Sequence, residues 1–96
     1  MRWRLGTTET SEAVRSGRMV EINKRLDELT NPEAQYFCTE GGTRTGYVFF
    51  DLADPSDIPS IAEPLFQELN ATVEFFPAMN AAQLGAGLTK ASGAWT

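Results

Sequence analysis

The sequence predicts an α+β domain with the element order β-α-β-β-α-β. Two extended apolar runs, Ala34 to Thr39 and Gly46 to Phe50, flank the pair Gly41-Gly42, and glycines between two such runs are typical of a β-hairpin. An amphipathic segment precedes the hairpin, and a helix-like segment and then the apolar run from Ala71 to Phe76 follow it. This order is the split βαβ arrangement, in which helices cover one face of a four-stranded antiparallel sheet.

The first strand is predicted at residues 3–8, where apolar and polar side chains alternate. Thr10 or Ser11 can cap a helix that begins near Glu12, because a hydroxyl oxygen accepts a hydrogen bond from an N–H of the first turn. Gly17 costs a helix about 1 kcal/mol relative to alanine. We expect the helical segment to kink or break at this glycine.

The main helix of the first half follows Gly17. Its apolar residues recur at steps of three and four, which places them on one helical face. They are Met19, Ile22, Leu26 and Leu29. The helix is predicted to end at Asn31, because the residue before a proline avoids the α region.

The second helical region contains prolines. Asp54 or Ser56 can cap its start. Pro64 lies further along, and a proline in a helix interior costs about 3 kcal/mol. We therefore expect two short helical pieces, one over residues 57–62 and another over residues 64–69.

The chain is predicted to close with a strand and a short helix. Asn70 stands where a left-handed helix cap is needed, and the last strand is expected over Thr72 to Phe76. A short helix around Ala82 to Leu88 follows. We interpret residues 1–90 as one domain and residues 91–96 as a flexible C-terminal tail.

The composition restricts the function. The chain has 96 residues and is 42% hydrophobic, which suits one globular domain with a modest core. Its net charge is −5, and it lacks the basic stripe that nucleic-acid binding requires. No run reaches the ~20 apolar residues of a membrane span, and no signal peptide is recognisable at the N-terminus. We expect a cytoplasmic protein without nucleic-acid or membrane partners.

Histidine is absent and cysteine occurs once. The lack of histidine excludes His-containing catalytic triads and most catalytic zinc sites, so we expect neither a metal nor another cofactor. Asp51, Asp54 and Asp57 recur at steps of three, but they suit a helix N-terminus better than a calcium loop. Cys38 has no histidine or helix N-terminus beside it, so we expect it to be a buried, unreactive thiol.

The alternation along the strands predicts two different sheet faces. Trp3, Leu5, Val48, Phe50, Val73 and Phe75 form an apolar set, as expected for a face packed beneath helices. The other set is Arg4, Tyr47, Phe49, Asp51, Glu74 and Phe76, joined by Tyr36 and Cys38 or by Gln35 and Phe37. This second face is too aromatic to lie in water. A second copy of the chain would cover it, which predicts a homodimer.

Three stretches resemble small bacterial proteins of the dimeric α+β barrel superfamily. They are the hairpin with Gly41-Gly42, the segment from Asp51 to Pro59, and above all the segment from Leu69 to Asn80. The nearest resemblance is to members without an assigned function. It implies a ferredoxin-like fold, a dimer whose two sheets form a barrel, and a pocket in the lumen or between sheet and helices.

Characterised members of that superfamily include muconolactone isomerases, cofactor-free quinone-forming monooxygenases and polyketide cyclases. Their histidine-dependent sites cannot be transferred to a chain without histidine. The resemblance therefore implies a pocket but no reaction.

Two functions fit these observations. The first is a non-catalytic dimer that binds a small apolar or aromatic molecule, with these ligand-binding residues: Arg4, Tyr36, Tyr47, Phe49, Glu74 and Phe76. The alternative is a cofactor-independent enzyme, an isomerase, polyketide-type cyclase or monooxygenase, in which Glu74 or a tyrosine transfers protons. Against the catalytic role, Glu74 can pair with Arg4 or Arg2 on the neighbouring strand. The lack of a recognisable nucleophile and base favours the binding protein.

Overall fold

The computed structural model describes residues 1–95 and has an α+β fold. Its elements are β1 (Arg2–Arg4), α1 (Thr7–Ser16), α2 (Arg18–Thr30), β2 (Ala34–Glu40), β3 (Thr43–Phe49), a 3₁₀ turn (Pro55–Asp57), α3 (Ile58–Leu69), β4 (Thr72–Glu74) and α4 (Ala81–Ala94). The four strands form one open antiparallel sheet in the order β2-β3-β1-β4. This architecture is compatible with a ferredoxin-like fold.

The short strand β1 lies between β3 and β4. Arg2 stands opposite Tyr47 on one side and Glu74 on the other. Trp3 stands opposite Gly46 and Val73. Because directly opposed residues share a face of the sheet, this register separates the arginine side of β1 from its tryptophan side.

The tryptophan side packs beneath the helices, as the alternation predicts. The buried apolar side chains from the sheet are Trp3, Leu5 and Val48, and those from the helices are Ala13, Ile22, Leu26, Ile61, Ala62, Leu65 and Leu69. Phe50, Val73 and Phe75 are partly buried against this cluster. The predicted helix-covered face is therefore confirmed.

The first helix begins earlier than the sequence indicates. The backbone N–H of Gly6 donates to the Leu69 carbonyl oxygen at 2.8 Å, and the N–H of Thr10 donates to the Gly6 carbonyl oxygen at 3.0 Å. The chain thus leaves the sheet at Gly6 and starts α1 at Thr7, not near Glu12. The break at Gly17 is confirmed, since this residue has a left-handed conformation with φ 83° and separates α1 from α2.

The second helical region is one helix, contrary to the expected break at Pro64. That residue lies inside α3, which continues from Ile58 to Leu69. Ile61 and Leu65, on either side of the proline, are buried in the core. Packing of this apolar face offsets the missing backbone hydrogen bond. Asn70 ends the helix in the predicted left-handed conformation, with φ 48°.

The last strand and helix also differ from the expectation. β4 ends at Glu74 rather than Phe76. The helix α4 begins with a capping box between Asn80 and Gln83 and continues to Ala94, so it includes residues 91–94 of the expected tail. Thr96, the last residue of that tail, lies outside the described residues. The flexibility of this segment and the boundary of the domain at residue 90 stay predictions.

α4 projects from the body of the protein. It contributes no buried residue, and the chain measures 57 × 28 × 18 Å with a radius of gyration of 16.3 Å. A compact chain of this length has a radius of about 12 Å. None of the helices in residues 1–95 combines the length and the apolar character needed to cross a membrane.

We expect Gly46→Ala to destabilise the fold by about 3 kcal/mol, as overpacking in a core does. A Cβ at this position would lie 1.9 Å from Nε1 of the buried Trp3. Gly87→Ala is the matched control, because a Cβ there meets nothing within 4 Å and alanine favours a helix. Urea unfolding measures both. Equal stability of the two variants would contradict the packing of Trp3 on Gly46.

Candidate functional site

The register of the strands fixes the composition of the face opposite the helices, which we call the open face. Its central residues are Arg2, Arg4, Tyr36, Cys38, Glu40, Thr45, Tyr47 and Glu74. Strand β2 thus contributes Tyr36 and Cys38, the first of the two predicted alternatives. Phe37 lies on the helix side, where its ring meets Trp3 edge to face at 6.3 Å.

Four polar side chains of the open face form a connected group, the Arg2 cluster. Nη1 of Arg2 lies 3.1 Å from Oε1 of Glu40, and Nη2 donates to Oε1 of Glu74. The hydroxyl of Tyr47 donates to Oε2 of Glu40. Sequence reasoning proposed the pairing of Glu74 with Arg2 or Arg4, and the structure selects Arg2. The hydrogen bond between Glu40 and Tyr47 was not predicted from the sequence.

Arg4, two residues after Arg2 in β1, approaches the same cluster. Its Nη2 donates to the Glu40 backbone carbonyl at 3.3 Å. The Nε atoms of Arg2 and Arg4 are buried without a hydrogen-bond partner among residues 1–95. The two carboxylates of the Arg2 cluster are thus paired within the protomer, whereas the guanidinium groups keep hydrogen-bonding capacity.

The hydrogen bond between Tyr47 and Glu40 shifts both pKa values. The pKa of Glu40 lies below its usual value, first because the Tyr47 hydroxyl donates to the carboxylate and then because the positive charges of Arg2 and Arg4 favour it. The pKa of Tyr47 lies above its usual value, because the Glu40 carboxylate accepts the phenolic proton. Tyr47 therefore stays protonated at neutral pH and acts as a donor.

A cleft of about 600 Å³ opens where β3 ends and the segment after β4 begins. Its aromatic and apolar wall includes Tyr47, Phe49, Phe50, Phe75, Phe76 and Met79. The rings of Phe50 and Phe75 meet edge to face at 6.5 Å. Glu33, Asp51, Asn80 and Gln83 add the polar part of its wall. The cleft is the aromatic cavity on which a ligand hypothesis can rest.

Only three of the six predicted ligand-binding residues line the cleft. Tyr47, Phe49 and Phe76 line it. Arg4, Tyr36 and Glu74 do not line it and lie elsewhere on the open face. Sequence reasoning missed Phe50, Phe75 and Met79 as lining residues. Met79 could have been found from the sequence, because it belongs to the apolar segment that follows the last strand, and this segment lines the cleft.

A second cavity, which we call the β2 groove, has a volume of about 330 Å³. It lies between the α1–α2 pair and the helix side of β2. Its wall includes Trp3, Val14, Met19, Phe37 and Thr39. The resemblance implied a pocket in the lumen or between sheet and helices, but the residues of this groove were not predicted, because the alternation left open which side of β2 faces the helices.

The aspartates and the cysteine have ordinary structural settings. Among residues 1–95, no group of three or more His, Cys, Asp or Glu side chains is placed to hold a metal ion. Asp54 caps the 3₁₀ turn by accepting from the Ser56 N–H at 2.9 Å, and this contact lowers the pKa of Asp54. Cys38 is exposed on the open face, so the expectation of a buried thiol is wrong.

Comparison of the chain with protein-family profiles, with curated protein sequences and with solved structures finds no match.

We expect Tyr47 to titrate above the ordinary tyrosine value of about 10. The chain has two tyrosines, so the variant Tyr36→Phe leaves Tyr47 as the single phenol, and its ionisation can be followed by absorbance near 295 nm. Adding Glu40→Gln removes the carboxylate that holds the proton. The midpoint should then move down towards 10. An unchanged midpoint would contradict the hydrogen bond.

The same pair gives stability a definite pH dependence. Because the folded pKa of Glu40 is depressed, its stabilising effect is complete above the unfolded value of about 4.3 and is lost as pH falls through the folded pKa. Because the folded pKa of Tyr47 is raised, its effect is complete below about 10 and is lost as pH rises through the folded pKa. Urea midpoints of wild type and Glu40→Gln should therefore differ most between these two limits.

We expect Glu74→Gln to lower the urea midpoint at pH 7. The change removes the charge that pairs with Arg2, whose pKa the Glu74 carboxylate raises further above its ordinary value. Glu33→Gln is the control, because Glu33 is exposed and its side chain has no ion pair among the described residues. A more stable Glu74→Gln would contradict the ion-pair role and favour the catalytic one.

Proposed function

We propose that the chain is a homodimeric α+β barrel protein with a ferredoxin-like sheet and binds a small apolar or aromatic molecule in the cleft. The observation that carries this proposal is the cleft of about 600 Å³ with its aromatic wall. Its volume lies within the ~300–1,000 Å³ that small-molecule pockets occupy.

The connectivity supports the ferredoxin-like assignment. β1 and β2 are joined by the α1–α2 pair and are separated in the sheet by β3. β3 and β4 are joined by α3 and are separated by β1. Two interleaved crossovers of this kind make up the split βαβ arrangement.

The open face supports the dimer. Tyr36 and Phe49 are exposed aromatic side chains on this side of the sheet, and Phe76, just beyond β4, is exposed as well; such residues are enriched at the centres of protein interfaces. A second open face would cover them. The exposed Cys38 would lie in the same interface and suits a reducing, cytoplasmic compartment.

The wall of the cleft also indicates the charge of the ligand. Glu33 and Asp51 contribute the charged side chains of its wall, the ammonium of Met1 is engaged by the Val48 carbonyl, and the chain carries a net charge of −5. This negative field opposes a carboxylate or phosphate ligand. A neutral aromatic molecule fits the wall best, since it can donate to the hydroxyl oxygen of Tyr47 or accept from the side-chain N–H groups of Asn80 and Gln83.

The contacts of Glu74 and Tyr47, the two candidates for proton transfer, favour a binding role over catalysis. Glu74 is paired with Arg2, and its side chain is 48% exposed, so it lacks the desolvated setting of a general acid. Tyr47 has its proton engaged by Glu40. Neither group is placed to exchange a proton with a molecule in the cleft without breaking these contacts.

The ligand proposal is tested with the neutral fluorescent probe N-phenyl-1-naphthylamine. Phe49→Ala should raise its dissociation constant about tenfold, which corresponds to the loss of one aromatic contact. Phe66→Ala is the matched control, because Phe66 lies on α3 outside the cleft and both phenylalanines are 43% exposed. Equal effects of the two changes, or no binding by wild type, would contradict the proposed site.

The dimer is tested by sedimentation equilibrium at micromolar concentration. We expect twice the chain mass of 10.6 kDa, and we expect Tyr36→Ser, on the open face, to shift the equilibrium towards monomer. Lys24→Ser, an exposed position on α2, is the control. A folded wild-type monomer would overturn the proposed assembly.

A further inference from the structure

The projecting helix α4 carries an apolar stripe that contacts nothing in the protomer core. Leu84, Leu88, Ala91 and Trp95 follow each other at steps of four, three and four, which places them on one side of the helix. All four are exposed, and Trp95 at the C-terminal cap is 89% exposed. Lys90, the one charged residue between Ala81 and Trp95, lies on the opposite side.

Intrinsic propensity does not account for this helix. It has 14 residues, a length at which isolated helices are marginal in water. Gly85, Gly87 and Gly93 lie within it, and each glycine costs about 1 kcal/mol relative to alanine. A Cβ at Gly85 or Gly87 would meet nothing within 4 Å, so packing inside the protomer does not require these two glycines. The helix needs a partner surface to be stable.

The β2 groove is the matching concave surface on the same chain. Phe37 projects into it from the helix side of β2 and is still 61% exposed. Val14 and Met19 form the opposite wall, and Val14 is also exposed. The groove therefore offers apolar side chains on both sides, with polar residues such as Asn23 and Arg44 also in its lining, and an amphipathic helix packs in grooves of this kind.

We propose that α4 of one protomer occupies the β2 groove of the other, so that the two chains exchange their C-terminal helices. This inference rests on the proposed homodimer. In a barrel of two facing sheets, a twofold axis parallel to the strands places each β4 edge against the β2 edge of the partner. α4 follows β4 after a six-residue connection, residues 75–80. In this arrangement α4 therefore begins beside the β2 edge of the partner chain.

The area involved agrees with the needs of a dimer. Covering Trp95 and Phe37 removes roughly 300–500 Å² from water, at ~150–250 Å² for each aromatic side chain. Twofold symmetry doubles this amount. The two exchanged helices thus supply about half of the ~1,600 Å² that a standard interface buries, and the open faces can supply the rest.

Crosslinking between two differently marked chains tests the exchange directly. In a Cys38→Ser background, one chain carries Thr39→Cys at the groove and the other carries Ala91→Cys on the stripe. After the two proteins are mixed and equilibrated, a short bismaleimide should join them. Ala86→Cys, on the opposite side of α4, replaces Ala91→Cys as the control. Crosslinking of Ala91→Cys no greater than that of the control would overturn the proposal.

The oligomeric state separates failure of this inference from failure of the dimer. The triple variant Leu84→Ser, Leu88→Ser, Trp95→Ser should raise the dimer dissociation constant at least about 100-fold, because it removes the large anchors of the stripe. Ala86→Ser with Thr89→Ser, off the stripe, should leave the constant unchanged. A wild-type dimer that the triple variant does not weaken would overturn the exchange and leave the proposed dimer intact. A wild-type monomer would overturn both.

Discussion

The packing of Trp3 on Gly46 is the contact on which the rest of the fold depends. Trp3 is 1% exposed at the middle of the three-residue strand β1, and the position opposite it has no room for a Cβ. This pairing fixes the register of β1 between β3 and β4. Because neighbouring residues point to opposite faces, the same register places Arg2 between Glu40 and Glu74. One buried indole therefore positions the charged cluster on the other side of the sheet.

Alternation and helix periodicity were sufficient to predict the faces of β1, β3 and β4 and the apolar face of α2, because burial of one face imposes a period on the chain. The helix start at Thr7 and the continuous α3 through Pro64 were not predictable in this way. The first depends on a backbone hydrogen bond from Gly6 to Leu69, 63 positions along the chain. The second depends on tertiary packing that outweighs the local preference of proline.

The candidate site was predictable only where it follows a strand. Tyr47, Phe49 and Phe76 share one parity, so alternation grouped them. The cleft, however, lies at the end of the sheet, where Phe50 and Phe75 from the helix side meet residues of the open side. Alternation along a strand assigns these two sets to opposite faces, so it cannot predict that they line one cleft. The hydrogen bond between Glu40 and Tyr47 was missed for a related reason, since it depends on the register across the hairpin, where a shift of one residue exchanges the faces.

The small size of the chain explains why many large apolar side chains stay exposed. A chain of about 100 residues buries only about 60–70% of its unfolded surface, and here 14 of those residues form a helix outside the core. The open face, the β2 groove and the stripe of α4 are three of the surfaces left uncovered by a body with three packed helices. In the proposed dimer, a single twofold operation pairs the open faces and fills both grooves at once, so that apolar surface which one core leaves uncovered is buried between two chains.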